Sequence, residues 1–210
     1  MAAVVAHEIR NPLGSITMAA RQLANEHLPR EDRELVLQIL RDEGRRLNET
    51  LTNFLAYARP RGLRLGRADF NALVGDVARI VAEGQPDVRI ETSLDSALAP
   101  FQIDSDQVRQ IVWNLALNAA QAVAGRGRVR LSTGRVEGFA RLCVEDDGPG
   151  VAESARDELF QPFKTTKSQG TGLGLAIADR IARAHGGRIE AGASDMGGAA
   201  FTLLLPTAQA

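Results

Sequence analysis

The sequence predicts an antiparallel α helical hairpin that pairs as a dimeric four-helix bundle, followed by an α+β two-layer sandwich. Three observations predict it. Apolar residues in the first sixty positions recur in alternating steps of three and four. The stretch RPRGLRLG (residues 59–66), with one Pro, two Gly and three Arg, then breaks that period. Beyond it, short alternating segments and helical segments intersperse, with strands in antiparallel runs and helices on one face. The boundaries read as a hairpin domain over 1–60, a linker over 61–67 and a second domain over 68–210.

In the hairpin, Ala6, Ile9, Leu13, Ile16, Ala20 and Leu23 form one stripe. Leu37, Leu40, Gly44, Leu47, Leu51, Phe54 and Ala58 form the other, with the turn HLPRED (27–32) between them. Two helices cannot bury both stripes in each other, so a second copy is the natural cover. Next, residues 69–84 read as a helix capped by Asp69 or Asn71. Residues 88–94 and 99–103 read as short strands. DSDQVRQIVWNLALNAAQAVAG (104–125) is a long helix, capped near Asp104 and stopped at Gly125. GRVRLSTGRV and FARLCVEDDG form a hairpin of strands. GLGLAIADRIARAHGG is a helix ended by paired glycines. RIEAGASDMGGAAFTLLLP supplies two last strands.

Composition excludes several classes. The 210 residues carry a net charge of −1, which gives no electrostatic case for nucleic acid or an anionic membrane. The one cysteine, Cys143, forms no intrachain disulfide and no zinc site alone. No apolar run reaches the roughly 18 residues of a membrane span, and no signal peptide is visible. This piece is therefore expected to be cytoplasmic and without membrane contact. The opening MAAVVAHEI is already in helical register without a cap, so Met1 reads as an artificial or truncated start with an upstream region missing, and any membrane anchor of the full-length protein would lie elsewhere. Cys143 and Trp113 read as core, and His27 and His185 as structural.

The stretch VVAHEIRNPLGSI (4–16) places two poor helix residues, Pro12 and Gly14, beside one of three histidines. On a helical wheel His7 and Asn11 face away from the seam, with Glu8 on the flank. Pro12 removes the N–H that would bond the Glu8 carbonyl, and a local penalty of roughly 1–3 kcal/mol beside an outward histidine suggests a reactive group on a deformable hinge. In the second domain, four clusters carry chemistry. Asn114 and Asn118 share one helix face, and an amide oxygen suits Mg²⁺, although bonds to solvent or backbone fit equally well. Asp146 in DDGPG ends a strand, where its carboxylate could accept a hydrogen bond from an exocyclic amine such as adenine's; a plain acidic turn fits as well. In LFQPFKTTK, Phe160 and Phe163 could anchor a mobile segment, with Lys164 and Lys167 as point charges for phosphate. GTGLGL (170–175) opens a helix whose free N–H groups could cradle phosphate.

HEIRNPL (7–13) resembles the phospho-acceptor motif of two-component sensor histidine kinases. The four later clusters resemble the N, G1, F and G2 boxes of histidine kinase catalytic domains, of the ATPase superfamily shared with DNA gyrase and related chaperones. The resemblance implies a Bergerat-type ATP-binding fold, ATP and Mg²⁺ as cofactors, a homodimer, and a response regulator receiver domain as partner. It implies that His7 is phosphorylated, that Glu8 takes or orients the ring proton, and that Asn11 positions water during dephosphorylation of the regulator. It makes Asn118 the Mg²⁺ ligand, Asn114 its neighbour near the phosphates, and Asp146 the partner of the adenine amine. Gly148 and Gly150 would shape the ring pocket. Gly170, Thr171, Gly172, Leu173 and Gly174 would wrap the phosphates, Phe160 and Phe163 would hinge the lid, and Lys164 and Lys167 would meet phosphate.

There are three departures. Gln121 stands where many relatives carry Lys or Arg, as in the nitrogen-regulation-like subgroup. The lid is short, and only six residues precede His7. Hydrolysing members of the superfamily carry a glutamate four residues before the metal asparagine. Here that position is Asn114, an amide that cannot act as a base. The implied activity is therefore autophosphorylation on His7 and transfer to a regulator aspartate, with regulator phosphatase activity. An ATP-binding pseudo-kinase scaffold is the alternative.

Overall fold

The computed structural model describes residues 2–25, 28–58, 62–123, 125–153, 158–165 and 172–208, with side-chain surroundings from Ile9 onward except at 49, 52, 53 and 55–58. It divides into two compact units, Met1–Arg61 with Thr165–Leu173, and Gly62–Lys164 with Gly174–Ala210. His27 lies outside the described residues.

In the first unit, α1 (Ala2–Leu23) and α2 (Arg30–Ala58) form the expected hairpin, and α1 runs unbroken through Pro12. Glu31 and Asp32 open α2, where acidic groups suit the positive end of the helix dipole. The seam of α1 differs from the expected one. Pro12 and Ala19 are buried and Ile9, Ile16 and Leu23 half-buried, whereas Leu13 and Ala20 are exposed. Both sets share the same three-four spacing, rotated by one residue. A single partner helix covers only one of them. On α2 the buried positions are Val36 and Thr50, with Leu40, Gly44, Leu47 and Phe54 half-buried and Leu37 and Leu51 exposed. Thr50 resolves its hydroxyl by donating to the Arg46 carbonyl at 2.9 Å. An apolar surface is left over: Met18 and Leu35 remain 66% and 61% exposed, beside Leu13, Leu37, Ile39 and Leu51.

The second unit contains β1 (Gly66–Ala68), α3 (Phe70–Gly84), β2 (Val88–Ser93), β3 (Phe101–Ile103), α4 (Ser105–Ala122), β4 (Gly127–Val136), β5 (Phe139–Asp146), α5 (Gly174–Ala184), β6 (Arg188–Ala193) and β7 (Ala199–Pro206). Five strands form one sheet in the order β2-β4-β5-β7-β6, and β1 pairs with β3 in a separate two-stranded ladder. The sandwich is as expected, with two corrections. β2 and β4 pair in parallel, so the sheet is mixed. Residues 66 and 67, expected in the linker, begin β1, which pairs antiparallel with β3 from Gly66↔Ile103 to Ala68↔Phe101.

Alternation sets the faces. Val129, Leu131, Leu142, Val144, Phe201, Leu203 and Leu205 are buried toward α3, α4 and α5, while Arg130, Ser132, Arg141 and Glu145 lie on the opposite, open face. Cys143 falls on that open face and is half-buried, as is Trp113 on α4, so neither is the core residue expected. The β4–β5 hairpin turns on Glu137 (φ 44°) and Gly138 (φ 87°), a two-residue turn with both central residues left-handed. Asp69 caps α3 through the Ala72 N–H at 3.0 Å. Asn71 instead ties three elements together: its amide donates to the Asp95 carbonyl at 2.8 Å and accepts from the Thr133 hydroxyl at 2.7 Å.

Asp104 is the N-cap of α4 and a junction. Its Oδ1 accepts from the Gln107 N–H at 3.1 Å, and its Oδ2 from the Arg64 N–H at 2.8 Å and the Gln107 amide at 3.1 Å. Its own N–H donates to Nε2 of buried His185 at 3.1 Å, while His185 Nδ1 lies 2.9 Å from the Ile181 carbonyl. Nδ1 therefore carries the ring proton. Burial by itself pushes the Asp104 carboxyl up. The N–H groups of Arg64 and Gln107 and the Gln107 amide more than offset it, so its pKa lies below the ordinary carboxylate value. A depressed pKa contributes stability above the unfolded-state value that is lost as pH falls through the folded-state value. Asp104→Asn is thus expected to destabilise the chain at neutral pH, by about 1–3 kcal/mol in urea unfolding. The gap to wild type should close as pH is lowered below the ordinary carboxylate range.

Candidate functional site

Two adjacent carboxylates, Asp146 and Asp147, stand at the end of β5, and the pleat sends them to different fates. Asp147 is held by its neighbour strand: the Arg128 N–H donates to its Oδ1 at 2.7 Å, and Arg128 Nε donates to its Oδ2 at 3.2 Å. The Arg128 backbone N–H is the main reason its pKa lies below the ordinary value, with the guanidinium adding to it against a smaller push from burial. Gly127 makes room, since a Cβ there would lie 2.5 Å from Asp147 Oδ1 and 2.7 Å from Val123 Cβ. Asp147 is therefore structural.

Asp146 points inward and is 1% exposed. Two backbone donors meet one of its oxygens: the N–H groups of Gly148 and Ala199 reach Oδ1 at 3.0 and 3.1 Å. Among the described residues Oδ2 accepts no bond, which leaves it as the acceptor for a ligand. Three glycines crowd around this carboxylate. A Cβ on Gly148 would lie 2.9 Å from Asp146 Oδ1 and 3.1 Å from the Ala122 carbonyl. Gly150 has φ 73°, a conformation that favours glycine, and packs on the Gly198 carbonyl. Gly198 donates its N–H to the Asp146 carbonyl at 3.1 Å. Sequence reasoning found Gly148 and Gly150 but missed Gly198 and Ala199. The signal available was the glycine pair Gly197-Gly198 just ahead of an apolar strand.

Asn114 and Asn118 both stand half-buried on α4, one turn apart. Asn114 Nδ2 donates to the carbonyl of Gly174, the first residue of α5, at 3.0 Å. The His185–Asp104 bond lies at the far end of α5, against the start of α4. α5 is thus pinned at both of its ends, to the middle and to the start of α4, and its N-terminus is set beside Asn114. Gly172 has φ 63° and is not yet helical, so α5 starts two residues later than the sequence suggested. Leu173 is buried.

Phe160 and Phe163 are half-buried. Phe163 takes φ 67°, rare for an aromatic residue and a mark of local strain. Lys164 pairs with Glu158 at 2.9 Å, with both side chains about half exposed, a contact worth little to stability. Lys167, Gly170 and Thr171 lie outside the described residues. His7 and Glu8 fall within α1, with their side-chain surroundings outside the described residues. Asn11 is exposed. Just beyond it the helix is softened: Pro12 has no N–H to give, and the Ser15 and Thr17 hydroxyls turn back to the carbonyls of Asn11 (3.5 Å) and Leu13 (2.7 Å).

The second unit thus joins a buried acceptor carboxylate, glycine walls suited to a flat ring, and a helix N-terminus beside two amides. Among the described residues no group of three or more His, Cys, Asp or Glu could hold a metal ion, so a cation would depend on amide oxygen and ligand phosphates. No helix among the described residues is long and apolar enough to cross a membrane. Replacing Asn114 by Ala should free the start of α5 and leave its end held by His185. Hydrogen–deuterium exchange is expected to quicken across Leu175–Ala178 and stay near wild type at Ile181–Ala184.

Residues 103–209 match the model of the histidine kinase-, DNA gyrase B-, and HSP90-like ATPases. Residues 1–62 match the His Kinase A (phospho-acceptor) domain. The chain is 34% identical over 208 residues to the sensor histidine kinase ZraS of Escherichia coli strain K12, covering 98% of this chain and 45% of that protein. The same figure over 208 residues holds for the signal transduction histidine-protein kinase AtoS of that strain, covering 96% of this chain and 34% of AtoS. The chain thus spans less than half the length of these relatives. Among solved structures it resembles full-length ShkA in complex with AMPPNP, with a TM-score of 0.73 at 32% identity over 99% of this chain and 46% of that one. It also resembles histidine kinase ThkA in complex with the response regulator protein TrrA, with a TM-score of 0.84 at 26% identity, covering 99% of this chain and 61% of that one.

Proposed function

Because the chain belongs to the two-component histidine kinases and carries the phospho-acceptor and ATPase parts of their catalytic core, we propose that it phosphorylates itself on His7 from ATP. The phosphoryl group then passes to an aspartate of a response regulator receiver domain, and the same core dephosphorylates that regulator. The observation that carries the reading is Asn114. Its side chain donates to the Gly174 carbonyl and so anchors a helix, and an amide supplies no general base for water. A site without its own base awaits a nucleophile from elsewhere in the protein, and His7 lies in a helix that matches a phospho-acceptor domain.

The residues present fit the nucleotide. Gly148 and Gly198 stand where a side chain would collide with Asp146 or its neighbours, Gly150 takes the left-handed backbone beside them, Asp146 offers Oδ2 to the adenine amine, and the first turn of α5 offers N–H groups to phosphate. Asn118 supplies the hard amide oxygen that Mg²⁺ prefers, and the bound cation would neutralise phosphate charge. Phe160 and Phe163 hinge the segment that carries Lys164 and Lys167, and Gly170, Thr171, Gly172 and Leu173 line the phosphates. Lys164 must leave Glu158 to take part, at little cost for a surface pair.

The chemistry asked of His7 is a single displacement. A neutral ring nitrogen attacks the γ-phosphorus in line, the bond to the β–γ bridging oxygen breaks, and ADP leaves. Glu8 accepts or orients the proton on the other nitrogen, keeping the attacking one basic. Asn11 serves the reverse role by positioning water on the phosphorylated regulator. The exposed stripe at Leu13, Met18, Leu35 and Leu51 supports a homodimer, closed by a second hairpin into a four-helix bundle. The hairpin domain, linker and catalytic domain keep the proposed order, with the catalytic domain starting at β1.

Incubation with γ-labelled ATP and Mg²⁺ tests the reading. Acid-labile, base-stable label is expected on the chain and absent from His7→Gln. ADP release equal in both proteins, with no label on either, would refute it. Restoring an N–H at the soft turn by Pro12→Ala should leave the helix folded and shift the ratio of autophosphorylation to regulator dephosphorylation. Equal values of both rates in variant and wild type would refute the hinge.

A further inference from the structure

We propose that Gly198, just before β7, is a positioning residue that gives the purine pocket its selectivity by aiming the Asp146 carboxylate. The inference rests on the reading of Asp146 as the adenine acceptor, and it concerns how that acceptor is oriented.

A carboxylate on a short side chain can rotate, and a rotated one offers its acceptor lone pairs in the wrong place. Here rotation is blocked from two sides. The N–H groups of Gly148 and Ala199 converge on Oδ1 at 3.0 and 3.1 Å, so that oxygen is committed to backbone. Oδ2 is thereby the oxygen left for ligand. Both backbone groups are donors, so Oδ1 serves only as an acceptor. An acceptor in this place matches a ring that carries an exocyclic amine, as adenine does, and opposes one with a carbonyl there, as guanine has.

Gly198 is what lets the two donors approach. A Cβ at 198 would overlap Asp146 Oδ1 and lie 2.5 Å from the Asp146 carbonyl oxygen and 2.6 Å from the Gly148 nitrogen. Two of these three atoms are backbone, so a side chain cannot be accommodated by a rotamer change alone. Any residue larger than glycine must push Oδ1 off its donors or separate β7 from the end of β5. The Gly198 carbonyl also accepts from the Ser194 N–H at 2.9 Å, which holds the loop before β7 in place. Gly198 packs on the carboxylate itself, so it acts through Asp146.

The test compares binding of ATP with that of purine riboside triphosphate, which lacks only the amine. Wild type, Gly198→Ala and Ala199→Pro are titrated with both, and thermal unfolding is followed alongside. Ala199→Pro replaces the N–H donor by a ring carbon at the first residue of a strand, where proline is tolerated. It decides the question if Gly198→Ala does not fold. Wild type is expected to prefer ATP by about tenfold or more, the range of a hydrogen bond to a charged group. In the variants the preference should fall to about one, because both ligands then miss an aligned acceptor. A mere loss of stability would weaken both ligands alike and leave the ratio unchanged. A folded variant with the wild-type ratio overturns the positioning role while leaving the adenine reading intact. A wild-type ratio of one overturns the adenine reading itself, and the positioning role with it.

Discussion

Asn114 and His185 each place one hydrogen bond across the contact between α4 and α5, at opposite ends of the shorter helix. That registration governs the geometry of the second unit. Apolar packing between helices is tolerant of small slides, because Ala, Ile and Leu side chains exchange one contact for another. A side-chain amide bonded to one carbonyl, and a ring nitrogen bonded to one N–H, are not tolerant. They specify which turn of α5 faces which turn of α4. The start of α5 is thereby set against the asparagine face, and Asp104 is set where it can cap α4 and hold Arg64. The start of α5 and the end of the linker are two outlets of one polar framework.

How much of this was legible in the sequence depends on the range of the interaction. The β4–β5 hairpin was readable because alternation and a Gly-containing turn are local. The Asp69 and Asp104 caps were readable because a cap acts within three residues. β1 was not, since three largely exposed residues carry no period and their pairing with β3 comes from elsewhere in the chain. Parallel pairing of β2 with β4 was missed because alternation reports a face and not a direction. The α1 seam was placed one residue off because its apolar arc is wider than one partner can cover. Proline, counted as a breaker, is in fact a buried apolar contact there.

The site divides in the same way. Asp146, Asn114 and Asn118 stand out as residue types in unusual places. Their tasks differ in how visible they are. Asn114 spends its amide on a backbone carbonyl 60 residues away, which no spacing rule foretells. Of the two adjacent aspartates, only the pleat and the Arg128 contacts reveal which is structural. Gly198 lies 52 residues from the carboxylate it accommodates. A glycine needed for space near a distant atom looks, in sequence, like any glycine in a turn.

The place of β7 in the sheet bears on how the protein is made. The last strand in the chain is not at the sheet's edge but between β5 and β6, and its first residues close over Asp146. A nascent chain emerging from the ribosome can fold its hairpin, form the β4–β5 ladder and lay down both long helices of the pocket while still carrying an open β5 flank. Until residues 198–206 arrive, that flank is an unpaired apolar strand, a ready template for another chain. The surroundings of Asp146 and the protection of the β5 flank are therefore completed together, when β7 docks. A chain cut before residue 198 would be a sticky product and not a partly active one.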